Sequence, residues 1–198
     1  MTVDQVLARI RRILMLEPAA YEEVRDDTQF TFVSLGSAAF AVLLAAIGAW
    51  LWGETIPSSK PSGWFVDTVI LGSIFTIVLF LIGVAVIYLM LSQVFGEATT
   101  PDALVRVVTL THLPYALGLF VFIPQIGFGF GLASVALTFY YTIFGIRAAY
   151  PNVDNMRAMI SVLLGFAVWA FIIPIISSAP NNNWVTGTFV YSLFEDIV

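Results

Sequence analysis

Five long apolar runs, almost free of charge, dominate this chain and limit what it can fold into. They are Phe30 to Trp52, about Val66 to Val94, about Ala103 to Ile123, about Gly127 to Tyr150 and about Met156 to Ser177. A helix needs about 20 apolar residues to cross the hydrocarbon core of a bilayer, and each run is long enough. Only 11% of the 198 residues are charged, against roughly 25% in an ordinary globular domain. So few charges cannot cover a water-soluble surface of this size. Lipid removes the difficulty, because an apolar exterior is then the favoured one. The expected fold is an all-α membrane protein, a bundle of about five transmembrane helices. No strand pattern or internal repeat competes with it.

The connectors carry turn chemistry. Gly53 to Gly63 contains Pro57, Ser58, Ser59 and Pro61. Pro101 follows a polar loop from Gly96, Pro124-Gln125 makes a tight hairpin, and Pro151 to Asp154 separates the last two spans. Residues 1–29 precede the first span as a cytoplasmic segment, 30–177 form the transmembrane domain, and 178–198 form a tail.

Within the first segment, Val3, Val6, Leu7, Ile10, Ile13 and Leu14 recur at helical spacing. Arg9 and Arg12 fall on the opposite face and Arg11 at the flank. This pattern predicts a helix over 2–16 lying in the membrane interface, ended at Glu17-Pro18. It lacks the continuous apolar stretch and small-residue cleavage site of a signal peptide. The acidic residues Glu17, Glu22, Glu23, Asp26 and Asp27 then read as a short polar segment. In the tail, Phe189, Val190, Leu193, Phe194, Ile197 and Val198 recur at helical spacing. That predicts an amphipathic helix docked on the outer leaflet or on a partner.

Orientation follows from basic residues. With five spans and the N-terminus in the cytoplasm, Arg9, Arg11, Arg12, Arg25, Arg106, Arg147 and Arg157 fall inside. Lys60 alone falls outside, and these account for all 8 Lys and Arg. The bias predicts a cell-membrane protein with its C-terminus on the outer side.

Functional signals are sparse. His112, the single histidine, lies inside the third span just before Pro114. An ionisable group in a span is a functional candidate; the alternative is a donor to a backbone carbonyl freed by a Pro114 kink. It is the weak candidate for a ligand contact. A metal site would need further ligands, and with no Cys, a single His and no mid-span carboxylate, none is expected. No cofactor is expected. Gly127, Gly129 and Gly131 open a transmembrane helix rather than a strand–loop–helix phosphate site, so they read as close helix-packing positions. Arg106, Arg147 and Arg157, at the inner ends of spans, read as snorkelling anchors or as contacts for anionic lipid headgroups. The net charge of −5 argues against nucleic acid. No catalytic motif is present, and no enzyme activity is expected.

The ordered segments Glu17-Pro18-Ala19-Ala20-Tyr21-Glu22-Glu23, Phe95-Gly96-Glu97-Ala98-Thr99, Leu104-Val105-Arg106-Val107 and Leu113-Pro114 carry a resemblance. Ile123-Pro124-Gln125-Ile126-Gly127, Tyr140-Tyr141, Gly145-Ile146-Arg147-Ala148 and Met156-Arg157-Ala158 continue it. Over about 15–165 the chain resembles the bacterial branch of the Yip family of multi-pass membrane proteins. The resemblance implies five helices, a cytoplasmic N-terminus and no enzymatic activity. Eukaryotic members are associated with Rab GTPases, but their Asp-Leu-Tyr-Gly-Pro signature is absent here, so GTPase binding does not carry over. The expected function is that of a non-enzymatic scaffold that binds membrane lipids, other membrane proteins or itself. The alternatives are an accessory subunit of a large, for example energy-converting, membrane complex and, behind it, a channel or transporter.

Overall fold

A computed structural model of the chain describes residues 2–55 and 62–177. The expected tail helix, Lys60 and most of the Pro/Ser loop before the second span lie outside them. The described residues form helices and turns without strands. Helix α1 spans Val3–Leu14 and α2 spans Pro18–Asp26. A 3-10 turn, Thr28–Phe30, leads into α3, Thr31–Thr55. Helix α4, Gly72–Leu89, is flanked by π-helical turns at Val66–Leu71 and Met90–Val94. Helix α5 spans Pro101–Leu110, α6 Gly127–Ala149 and α7 Asn155–Ser177.

Five stretches are long and apolar enough to cross a membrane: Thr28–Thr55, Val66–Val94, Pro101–Phe122, Gly127–Ala149 and Asn155–Ile173. They coincide with the five apolar runs. The third is broken rather than kinked. Helix α5 stops at Leu110, and a 3-10 segment, Leu113–Phe122, completes the span. Pro114 has no N–H to continue the helix, and the residue before a proline disfavours the α conformation. Thr109 and Thr111 turn their hydroxyls back onto the carbonyls of Val105 and Val108 at 2.7 Å, which also loosens the ladder here.

The described residues pack as two compact units. The first comprises Met1–Ala38, Leu81–Leu113 and Thr138–Ala167, and it contains all seven arginines. Its core includes Tyr21, Leu104, Leu110 and Ile146. Gly83 and Gly165 let α4 and α7 meet backbone to backbone: a Cβ on Gly165 would stand 2.9 Å from the Gly83 carbonyl oxygen. Without a hydrophobic drive between helices in lipid, such small-residue contacts supply the packing energy.

Of the described residues, the second unit comprises 39–55, 62–80, Pro114–Leu137 and 168–177. Ala41, Val42, Ala45 and Ala49 form one buried face of α3 and pack with Tyr115 and Val121. Gly48 sits so close to the 3-10 segment that a Cβ would fall 2.1 Å from the Gly118 carbonyl oxygen. Tyr115 and Trp169 close this core in an edge-to-face contact, ring centroids 5.5 Å apart.

Candidate functional site

Helix α1 begins with a reciprocal cap. The Thr2 hydroxyl accepts from the Gln5 N–H, and the Gln5 side chain accepts from the Thr2 N–H at 2.9 Å. The acidic segment that follows is not a polar linker. Pro18 occupies the first turn of α2, where its missing N–H is harmless. Ala20, Tyr21 and Val24 form its buried face. Of the acidic side chains, Glu17, Glu23 and Asp27 meet arginines of α1, and Asp26 pairs with Arg25.

Two of the three arginines of α1, Arg9 and Arg12, are engaged by these acids. Arg9 reaches Asp27 at 2.6 Å and Glu23 at 3.6 Å. Arg12 bridges Glu17 at 2.7 Å and Glu23 at 2.9 Å. The hydrogen bonds from Arg12 hold the carboxyls of Glu17 and Glu23 below the usual glutamate range, and Arg9 does the same to Asp27. The pair of carboxylates in turn raises Arg12 above its ordinary value. Arg9, Arg12, Glu23 and Asp27 line a cleft of about 480 Å³ between the two helices.

Arg106 holds α2 from beneath. Its guanidinium, on α5 and only 5% exposed, donates to the Val24 carbonyl at 3.1 Å and the Arg25 carbonyl at 2.5 Å. The last carbonyls of a helix lack partners within it and carry its negative end. A buried cation there satisfies both needs. The expectation that Arg106 contacts lipid headgroups is therefore corrected: the guanidinium is spent on α2.

Two tyrosines hold α1. Tyr21 donates to the Ile13 carbonyl at 3.0 Å, and burial pushes its phenol above the ordinary range. Tyr141, on α6, donates to the Leu14 carbonyl at 2.7 Å. The Arg9 guanidinium also lies over the Phe30 ring, 4.9 Å from its centroid. Helix α1 is thus pinned along its second half, from Arg9 to Leu14. Its remaining face carries Val3, Leu7, Leu14 and Met15, exposed by 73, 59, 42 and 65%.

The other expected site residues separate. Arg157 pairs with Glu97 at 2.6 Å and Asp154 at 3.4 Å, so it too has protein partners instead of a free headgroup-facing charge. Arg11 and Arg147 are exposed, and neither has an acidic partner among the described residues. His112 is buried, 1% exposed, at the break in the third span. Among the described residues no three His, Cys, Asp or Glu side chains gather where they could hold a metal. Gly127 packs against the Val121 carbonyl oxygen, which a Cβ would approach to 2.0 Å. Gly131 is buried. Gly129 is exposed with open space around it, so its expected packing role is corrected.

Five membrane-length helices, joined by short connections, define the class: this is a multi-pass membrane protein. Comparisons with protein-family models, with curated proteins and with solved structures return no match.

Proposed function

We propose that the chain is a non-enzymatic membrane scaffold. It binds lipids or other membrane proteins through the ledge made by α1 and α2, with its N-terminus in the cytoplasm and its C-terminus outside. The observation that carries this reading is the fixing of that ledge. Arg106 and Tyr141 reach it from α5 and α6, and Tyr21, Arg9 and Arg12 tie its two helices together. A pinned helix that keeps a row of large apolar side chains exposed is built to be covered. The gathering of every arginine in the unit that contains the ledge supports the cytoplasmic assignment. The Yip-like order of segments supports the same reading, since Glu17 to Glu23 is the segment that becomes α2.

The test is purification of the full chain from its own membrane in mild detergent, beside the Arg9→Glu/Arg12→Glu variant, which frees α1 by charge repulsion. A specific assembly larger than the chain alone, lost in the variant, supports a scaffold. The same lone chain in both preparations, carrying no bound lipid in either, contradicts it. A stable assembly carrying prosthetic groups would favour the accessory-subunit reading instead.

A further inference from the structure

We propose that the exposed face of α1 is occupied by the protein's own bilayer, with Arg11 and Arg147 engaging anionic phospholipid headgroups. The inference rests on the scaffold reading and names the ligand of one of its surfaces.

Depth is the first argument. Tyr141 lies eight residues before Ala149, the last residue of α6, a distance of about 12 Å along the helix. Helix α6 has 23 residues and so measures about 34 Å, against a hydrocarbon core of about 30 Å. The Tyr141–Leu14 hydrogen bond therefore holds the end of α1 alongside the membrane-spanning part of α6 and not beyond it. The contact of Arg9 with Phe30 holds the middle of α1 at the start of the first span. Interfacial helices sink their apolar face about 5–10 Å into this zone.

Continuity is the second argument. Phe32, in the first turn of α3, is 87% exposed, and Tyr140 on α6 is 53% exposed. Each stands one or two residues from a contact that holds α1, Arg9 on Phe30 and Tyr141 on Leu14, and as part of a span each is an apolar side chain that lipid must cover in any case. A protein partner would have to displace lipid from all of them.

Charge is the third. Arg11 stands four residues after Leu7 and three before Leu14, so it flanks the exposed apolar row. Arg147 stands seven residues after Tyr140, on the same stripe of α6 and nearer the helix end. The other arginines of this unit are engaged with carboxylates or carbonyls: Arg9, Arg12, Arg25, Arg106 and Arg157. Arg11 and Arg147 are the two left to meet phosphate.

The chain has no cysteine, so Leu7→Cys gives one attachment point for an environment-sensitive fluorophore. The labelled full chain is reconstituted in phosphatidylcholine vesicles with or without phosphatidylglycerol. Acyl-brominated versions of each lipid serve as quenchers, and iodide as the aqueous one. We expect quenching by brominated lipid and protection from iodide. Brominated phosphatidylglycerol should quench preferentially. Arg11→Gln and Arg147→Gln should each lower that preference roughly five-fold, the Boltzmann factor for about 1 kcal/mol per basic residue at an anionic surface. Quenching by iodide and not by lipid would overturn the proposal. Equal quenching by both brominated lipids, unaffected by the two substitutions, would overturn the headgroup assignment. Partner proteins are absent from this assay, so loss of partner capture with quenching intact would sink the scaffold reading alone.

Discussion

Arg106 donates through Nη2 to the carbonyl oxygen of Arg25 at 2.5 Å, joining the start of the third span to the end of a short helix that precedes the first span. The sequence separation is 81 residues. A residue that looks like a membrane anchor is thus the fastening between the ledge and the bundle.

Arg106→Ala should be among the most damaging substitutions in the chain. It strands the buried Val24 carbonyl, at a cost of about 1–3 kcal/mol when unsatisfied, and the partly buried Arg25 carbonyl beside it. Thermal unfolding in detergent should show a large loss of stability, and Arg106→Lys should recover part of it. An unchanged melting temperature would remove the fastening from the account.

The hold of α1 on α2 should depend on pH in the acid range. Glu17, Glu23 and Asp27 titrate lower in the folded protein than their reference values of 4.5, 4.5 and 3.8. Their contribution is therefore complete above those values and is lost as pH falls through the lower folded ones. A spin label at Ala8→Cys, in the cleft lined by Arg9, Arg12, Glu23 and Asp27, should keep constant mobility from neutral pH down toward the reference values and gain mobility only as pH falls below them. Loss of order at neutral pH or above would contradict the pairing.

Glycines should differ sharply. Gly165→Ala drives a methyl against the Gly83 carbonyl and within 2.7 Å of Ile87 Cγ1, and should cost about 1–3 kcal/mol by overpacking. Gly129→Ala, in open space on a helix, should be neutral or gain about 0.5–1 kcal/mol. Detergent melting curves of the two variants make the comparison, and equal effects would contradict the close α4–α7 crossing.

The spans were legible because each is a long run whose length and lack of charge admit one physical solution. The ledge was only half legible. Helix α2 hid behind its acids, although Ala20, Tyr21 and Val24 already stood at helical spacing. Thr2 and Gln5 also carried a readable capping signal. Arg106 was misread because its position at a span end says nothing of a helix brought to it from 81 residues away. Gly129 was misread through geometry. Residues 127 and 131 share a helix face, while a residue two positions on points to the other side. The Gly83–Gly165 contact joins residues far apart in the chain, and no local pattern announces it.

A multi-pass protein with its arginine-rich end in the cytoplasm and five spans must carry its C-terminus on the outer side. The most direct measurement is a paired reporter fused after Val198, one active only outside the membrane and the other only in the cytoplasm. The account predicts activity of the outside reporter and silence of the cytoplasmic one, as five spans from a cytoplasmic N-terminus require. Activity of the cytoplasmic reporter would contradict it.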